Sequence, residues 1–209
     1  MPRPTKREPE RGNARLRLLE AARDIIRAKG FAASSVDDLC QKAAVTKGSF
    51  FHHFASKEEL GLAAADFWAD TTTAFFAEAP YHEPADPLDR VLAYVAFRKA
   101  IIVGDPAEFS CLVGTMAGEV YGAFPTIRDA CAASIFGHAA TLEDDIRAAM
   151  VAHDVTGSPA SLARHTQAVL QGAFVLAKAA NDAAPARESL DHLDRYIRLL
   201  FGLATKEAA

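Results

Sequence analysis

A short polar segment, residues 46–49, has the residue types that bind the phosphate groups and base edges of nucleic acids. Thr46, Lys47 and Ser49 supply hydroxyl and ammonium donors within one helical turn, and such donors suit phosphate oxygens and base edges. Gly48 lies among them and, because it has no side chain, allows the backbone to approach a duplex closely. The segment therefore predicts contacts in a groove of DNA.

The residues that follow extend this segment as a helix with two faces. Phe50 and Phe54 are spaced i, i+4, which places both on the face toward a core. Phe51 and His52 then project outward, toward a sugar-phosphate backbone, and Lys57 adds a cation beside them. The outward face of this helix is therefore a candidate DNA-contact surface.

A second short helix precedes this one and is joined to it by Ala44, Val45 and Thr46. Ser35 can cap its N-terminus. Its apolar residues recur at the spacing of one helix face: Val36, Leu39, Cys40 and Ala43. Two short helices with so tight a connection are typical of a helix-turn-helix, in which the first braces the second in the major groove.

The charge of the chain is divided unevenly between its two parts. Residues 1–57 contain 12 Lys and Arg against 6 Asp and Glu, whereas residues 58–209 contain 11 against 21. A basic N-terminal part is the usual electrostatic feature of phosphate binding, because neutralised phosphates release counterions. An acidic remainder keeps nucleic acid away from the rest of the surface. A basic face that meets only solvent remains the alternative.

Helix start and stop signals cover the whole chain, and no run of useful length alternates as a strand would, so the fold is predicted to be all-α. Residues 1–12 are expected to be a disordered basic arm, and residues 13–56 a three-helix DNA-binding domain with the helix-turn-helix. Residues 57–209 are expected to form a larger six-helix ligand-binding and dimerisation domain. Its helices are predicted near 57–78, 87–103, 106–121, 125–153, 159–181 and 187–204.

Residues 34–60, SSVDDLCQKAAVTKGSFFHHFASKEEL, resemble the DNA-binding signature of the tetracycline-repressor (TetR) family. The resemblance implies a connector helix after the DNA-binding domain and a divergent C-terminal domain that binds an inducer. It also implies a homodimer formed through the last two helices. Phosphate contacts are implied for Ser35, Phe51, His52 and Lys57, and groove contacts for Thr46, Lys47, Gly48 and Ser49. Phe51 stands where the family often has Tyr, so the contact through that hydroxyl is lost.

The last two predicted helices have faces suited to self-association. Small residues on the first permit close helix approach, and the second has a regular apolar stripe. The predicted dimer residues are Ala173, Leu176, Ala177, Leu193, Ile197 and Leu200. A two-fold operator requires a two-fold protein, which favours this interpretation. The alternative is that these stripes pack only inside one subunit.

The middle of the chain combines many aromatic residues with a few polar ones, which is the usual composition of a small-molecule site. The predicted ligand-site residues are Trp68, Tyr94, Phe97, Arg98, Cys111, Glu119, His138 and Gln171. Glu119 is the most suggestive, because a buried carboxylate needs a partner. Cys111 could sense electrophiles, although free cysteines usually act as small buried hydrophobes. For each residue, a purely structural role is the alternative.

Several other classes of protein are disfavoured by the sequence. No apolar run approaches the length that spans a bilayer and the N-terminus has no apolar signal core, so a soluble, cytoplasmic protein is predicted. Cys40, Cys111 and Cys131 are too far apart for a disulfide framework or a zinc site. His52 and His53 are adjacent and do not share a helix face, and no catalytic motif occurs. We therefore expect no catalytic residues, no metal and no cofactor.

The sequence thus predicts a transcriptional repressor that binds palindromic double-stranded operator DNA as a homodimer. A small-molecule inducer of unknown identity is expected to release it. An enzyme is one alternative. An architectural or interaction protein is another, and DNA binding that no metabolite alters would favour it.

Overall fold

The computed structural model describes the backbone of residues 8–203 and the side chains of residues 14–203. Within this part of the chain the fold is all-α, as predicted, and contains no strand. The helices are α1 (Glu8–Lys29), α2 (Val36–Ala43), α3 (Lys47–His53), α4 (Lys57–Ala77), α5 (Pro87–Ala100), α6 (Pro106–Phe109), α7 (Leu112–Val120), α8 (Pro125–Ala140), α9 (Glu143–Ala152), α10 (Pro159–Ala180) and α11 (Ala184–Leu200), with a 3₁₀ turn at Pro80–His82.

The helix ends follow from local capping chemistry. At the start of α5, the Asp86 carboxylate accepts hydrogen bonds from the backbone N–H groups of Leu88 and Asp89. Pro87 occupies the first helical position, where its missing N–H costs nothing. Helix α10 is capped at its start by Ser158 and at its end by Asn181, whose backbone is left-handed (φ 52°). These signals are readable in the sequence because each acts within a few residues.

Helix α1 begins earlier than predicted. Residues 8–12 were expected to belong to a disordered arm, but they form the first turns of α1. Pro9 is compatible with this helix because it lies in the first turn, where its missing N–H has no partner to lose. The rest of the predicted arm, residues 1–7, lies outside the described residues.

Two of the predicted long helices are broken, so residues 57–203 contain eight α-helices rather than six. The predicted helix 106–121 breaks at Ser110, whose backbone is extended (φ −72°, ψ 156°). The predicted helix 125–153 breaks after Ala140, where the Thr141 hydroxyl donates to the carbonyl of His138 at 2.8 Å. A hydroxyl that binds the backbone locally competes with the helix. Neither break contains Pro or Gly, which is why the sequence did not indicate it.

The described residues pack as two compact units, and the chain passes between them three times. The first unit comprises residues 8–72 and 112–134, and the second comprises residues 73–111 and 135–203. In the first unit, α1 packs against α2, α3 and α7. The units therefore do not divide at residue 57, because α7 and the start of α8 return to the N-terminal helices.

The core of the second unit is built by α5, α9, α10 and α11. Its largest fully buried side chains include Tyr94, Leu88, Ile102 and Ile146. Burying an apolar side chain of this size stabilises a fold by roughly 1.5–3 kcal/mol. A polar side chain in such a core needs hydrogen-bond partners, and two buried polar residues, Arg98 and Gln167, lie beside Tyr94.

Candidate DNA-binding surface and candidate ligand site

Local caps and one sharp turn define the ends of α2 and α3. The Ser35 hydroxyl accepts from the backbone N–H of Asp38 at 3.1 Å, and the Asp38 carboxylate accepts from the backbone N–H of Ser35 at 2.8 Å. Ala44, with φ 52°, turns the chain sharply. Thr46 then caps α3 by accepting from the backbone N–H of Ser49 at 3.1 Å. Ser35 and Thr46, two of the predicted DNA contacts, are therefore also the N-caps of these helices.

Helix α3 presents one apolar and one exposed face, as predicted from its spacing. Phe50 and Phe54 are buried, with 0% and 2% of their surface exposed. Phe51 is 55% exposed, and its ring contacts the edge of Phe50 at a centroid distance of 5.1 Å. The exposed residues of this face are Thr46, Lys47, Gly48, Phe51 and His52, with Ser49 half-buried beside them. The structure thus brings most of the predicted DNA contacts onto one surface.

One cation of this surface is balanced by a carboxylate on α2. The Lys47 ammonium lies 2.8 Å from the Asp37 carboxylate, which raises the pKa of Lys47. Both groups are exposed, and exposed ion pairs are weak and screened by salt. A DNA phosphate or base can therefore replace Asp37 as the partner of Lys47. The neighbouring Asp38 stays ionised, because the Lys29 ammonium and hydrogen bonds from Ser35 hold its pKa well below the usual range.

The Lys57 ammonium, a predicted phosphate contact, is bound within the first unit. Its ammonium donates to the backbone carbonyls of Phe31 at 3.1 Å and Ser34 at 3.0 Å. It also lies 4.5 Å from the centre of the Phe31 ring. The side chain is half-buried, so its role in the structure is to tie the start of α4 to the loop between α1 and α2.

Glu119, a predicted ligand-site residue, holds the same loop from α7. Its carboxylate accepts from the backbone N–H of Ala32 at 2.7 Å and is exposed rather than buried. The contact is close because Gly30 lies beneath it: a Cβ at Gly30 would stand 2.1 Å from a Glu119 oxygen. The loop that leads into α2 is thus held by Lys57 on one side and Glu119 on the other, within the first unit.

Trp68 also lies in the first unit, where the Arg27 guanidinium is 5.4 Å from the centre of its ring. It is not among the residues that surround Arg98. Cys111 is half-buried and packs against the core of the second unit. Gln171 is half-buried on α10. Only Tyr94, Phe97, Arg98 and His138 of the predicted ligand-site residues are brought together.

Tyr94 is the centre of a buried polar cluster in the second unit. Its hydroxyl oxygen accepts from Arg98 Nη1 at 3.0 Å and from Gln167 Nε2 at 2.9 Å. The hydroxyl then donates its own proton to His138 Nε2, which lies 2.9 Å away. Hydrogen-bond balance therefore assigns a neutral imidazole with its own proton on Nδ1. Arg98 is the only formally charged member of the four.

Gln167 was missed by the sequence analysis, although a signal for it exists. It lies on α10 in the stripe that contains Leu162, Ala163 and Leu170, a position where an apolar residue is expected. Gln167 is only 4% exposed. A buried amide in an apolar stripe must have a hydrogen-bond partner, and that requirement identifies it as part of a polar site.

Aromatic rings enclose the polar cluster. The Arg98 guanidinium lies 5.0 Å from the centre of the Phe76 ring and 5.9 Å from that of Phe174. Phe97 packs near Phe76 at 6.0 Å and near Tyr81 at 5.7 Å. Burial, together with the nearby Tyr94, raises the pKa of Tyr81 to about 12. The surroundings of Arg98 are therefore apolar or neutral.

The neutral state of His138 should make stability depend on pH. Burial, and secondly the Arg98 cation, lower the pKa of His138 from 6.5 to about 4. Below pH 6.5 the unfolded chain therefore binds more protons than the folded one, and stability falls as the pH drops toward 4. The shift corresponds to about 3 kcal/mol. Denaturant unfolding at pH 7 and pH 4 measures the loss.

His138→Gln is the matched variant, because an amide oxygen can still accept from Tyr94 without titrating in this range. Between pH 7 and pH 4, the free energy of unfolding of the wild type should fall by about 3 kcal/mol more than that of the variant. Equal losses in the two proteins would show that His138 is not held neutral by the fold.

Most of the predicted dimer residues are part of the core of a single chain. Ala173, Ala177, Leu193 and Ile197 are buried in the second unit, and the half-buried Leu200 packs against the same core. They pack inside one subunit, which was the alternative interpretation of these stripes. The predicted stripes are therefore buried within the chain itself.

A different set of apolar residues on α10 and α11 is exposed in the single chain. We call this set the outer apolar face; it consists of Val175, Leu176, Tyr196 and Leu199. His165 of α10 contacts the Tyr196 ring of α11 at a centroid distance of 5.3 Å, which joins the two helices. Leu176 is thus the one predicted dimer residue that lies on an exposed surface.

Two family descriptions match the sequence. Residues 18–64 match the bacterial regulatory proteins of the tetR family, and residues 87–193 match the tetracyclin repressor-like C-terminal domain. Among curated proteins, the HTH-type transcriptional repressor NemR of Escherichia coli is 26% identical over 187 residues, 88% of this chain and 94% of NemR. The transcriptional regulator AcuR of Cereibacter sphaeroides is 27% identical over 117 residues, 56% of this chain and 53% of AcuR.

Solved structures show the same arrangement of helices. The crystal structure of reduced Escherichia coli NemR has a TM-score of 0.74 at 25% identity and covers 93% of this chain and all of that one. A TetR-family regulator from Agrobacterium tumefaciens shares the fold with a TM-score of 0.77 at 22% identity, over 89% of this chain and 98% of that one.

Proposed function

The chain belongs to the TetR family of DNA-binding transcriptional regulators, and on this basis we propose that it is a repressor. It binds a palindromic operator as a homodimer, and a small-molecule inducer bound in its C-terminal domain releases it. The observation that carries the proposal is the exposed face of α3, where Thr46, Lys47 and Gly48 surround the N-terminus of a braced helix.

The chemistry of this face supports contacts with both bases and phosphates. Lys47 is an exposed cation at the first helical position, and Gly48 has no side chain to hold the duplex away. Lysine in the major groove can donate to the O6 and N7 atoms of guanine. Phe51 and His52 extend the face toward a sugar-phosphate strand. Lys57 contributes by holding the loop before α2.

The role of repressor, rather than activator, is supported by NemR, which is named a transcriptional repressor and spans nearly all of this chain. The named relatives are regulators and not enzymes, and we propose the same for this protein. None of the helices within residues 8–203 has both the length and the apolar composition needed to cross a bilayer. We place the protein in the cytoplasm, because bacterial operators lie there.

The ligand site of the proposal is the Tyr94 cluster with its aromatic surroundings. Such a site, apolar with a few convergent polar groups, suits a small molecule. The chain order supports coupling to DNA, because α4 begins directly after α3 and runs into the second unit at Thr73. A ligand that shifts α4 changes the spacing of the two recognition helices, which must be about 34–36 Å apart to enter successive major grooves.

The test of DNA recognition is Lys47→Ala on a selected operator and on random DNA. Loss of a base contact should weaken operator binding by about 1–3 kcal/mol and relax preference at one half-site position. Binding to random DNA should weaken only by the small, salt-dependent contribution that one cation makes to phosphate binding. Fluorescence anisotropy titrations at several salt concentrations measure both.

Lys42→Ala is the matched control, because Lys42 is an exposed lysine at the end of α2, paired with Asp24 at 3.6 Å and away from the face of α3. It removes the same charge and should leave base preference intact. If Lys47→Ala weakens operator and random DNA equally, Lys47 does not read bases.

A further inference from the structure

Arg98 is a buried cation that has no counter-ion among the side chains of residues 14–203. It is only 8% exposed, and none of the ion pairs among the described residues includes it. Asp145, the acid whose charge acts on the neighbouring Tyr81, is paired with Arg90 at 2.7 Å. An arginine cannot lose its proton under ordinary conditions, so the charge remains even in apolar surroundings. Burying such a charge unpaired is costly.

The hydrogen bonds of Arg98 leave one edge of the guanidinium unused. Both of its bonds to the cluster, to Tyr94 and to the imidazole of His138, are donated by Nη1. The Nε–H is fully buried and has no hydrogen-bond partner in the described part of the chain. Nε and Nη2 lie on the same edge of the planar group, and this edge is the one that binds a carboxylate through two parallel hydrogen bonds.

We propose that the inducer is a small carboxylate with an apolar or aromatic body, whose carboxylate binds the Nε and Nη2 edge of Arg98. This inference rests on the proposed function of the Tyr94 cluster as the inducer site. The ligand supplies the missing negative charge, and the rings of Phe76, Phe97 and Phe174 contact its apolar body. Tyr94, Gln167 and the neutral His138 orient the guanidinium and add no second charge.

A monoanion fits this site better than a phosphate group does. Arg98 is the only cation of the cluster, and its other members are neutral. A phosphate carries more charge and more acceptor oxygens than one guanidinium edge can satisfy. Phe97 is half-buried and Phe75 is 52% exposed, with ring centroids 5.8 Å apart. In the proposal, the ligand enters the cluster past these two outer rings.

The experiment compares each acid with its uncharged amide on the full-length wild-type protein without DNA. Isothermal titration calorimetry is carried out with two pairs, benzoate with benzamide and hexanoate with hexanamide. Two charge-assisted hydrogen bonds at a buried cation should make at least one acid bind about 10- to 100-fold more tightly than its amide. Amides that bind as well as both acids, or four compounds that do not bind, would overturn the proposal.

Arg98→Gln should remove the preference for the acid, while Arg164→Gln, which changes an exposed arginine of α10, should keep it. A preference that survives in folded Arg98→Gln would place the acid elsewhere and overturn the proposal. If Arg98→Gln does not fold, the wild-type comparison decides, because it uses no variant.

A separate titration distinguishes this inference from the proposed function. The acid that binds is added to the complex of the protein with operator DNA. Release of the DNA supports both ideas. An acid that binds at Arg98 yet leaves operator affinity unchanged supports the carboxylate site and contradicts induction through it. Release of DNA only by an uncharged ligand supports induction and contradicts the carboxylate.

Discussion

Replacement of both Leu176 and Leu199 by glutamate is expected to give a folded monomer that no longer binds operator DNA. The two side chains are 52% and 66% exposed in the single chain, so their replacement should leave the core of a subunit intact. In a dimer that covers the outer apolar face, the same glutamates would be buried without partners. Each unpaired buried charge costs several kcal/mol, which exceeds what a dimer contact can compensate.

Sedimentation velocity measures the oligomeric state of the variant, and circular dichroism measures whether it is folded. Fluorescence anisotropy measures its binding to operator DNA. Operator binding should fall with the dimer, because each subunit then contacts only one half-site. Val151→Glu is the matched control: it changes an apolar residue that is 80% exposed on α9, and it should remain a dimer. A stable dimer of the Leu176 and Leu199 variant would show that α10 and α11 are not the main interface.

The same substitution at Leu193 or Ile197 would give a different result. These residues are 2% and 0% exposed within one chain, so a glutamate there would unfold the second unit rather than separate subunits. The comparison of the two pairs therefore separates loss of the dimer from loss of the fold.

The second large effect is expected at Gly48, where glutamate should abolish operator binding without harming the fold. A Cβ at this position would have only Thr46 Oγ1 nearby, at 3.8 Å, so a longer side chain has room in the free protein. Any residue other than Pro favours a helix more than Gly does, and a negative charge suits the first turn. Thermal stability should therefore be equal or higher.

In the DNA complex, however, the new carboxylate would face the phosphates, and like charges held together cost several kcal/mol. Operator affinity should drop on the order of 100-fold or more. Gly48→Gln has the same size without the charge and should lose clearly less, which separates repulsion from bulk. If glutamate and glutamine variants bind operator as well as the wild type, α3 does not enter the groove.

Much of the fold was predictable because its signals are local. Caps at Ser35, Thr46 and Asp86 act on backbone groups within three residues, and the spacing of Phe50 and Phe54 defines the buried face of α3 over one turn. The breaks at Ser110 and Thr141 were missed because a single hydroxyl or an extended residue leaves the helical periodicity on both sides unchanged.

The candidate sites were predictable only in part, for the same reason. The sequence by itself determined the all-α class, the helix-turn-helix with its exposed polar face, and the presence of Arg98 and His138 in an aromatic-rich region. It could not determine partners that are distant along the chain: Glu119 binds the backbone 87 residues away, and Gln167 binds Tyr94 73 residues away. Only the packing of α7 in the first unit, and of α5 and α10 in the second, brings the members of each pair together.

Tertiary structure likewise decided which stripe of α10 and α11 faces outward. Both helices carry two apolar faces, and periodicity does not say which one the chain will bury. The fold buries Ala173, Leu193 and Ile197, and leaves Leu176 and Leu199 for contact with another surface. Burial is a competition among all the helices for one core, and its outcome depends on their relative positions, which no local pattern contains.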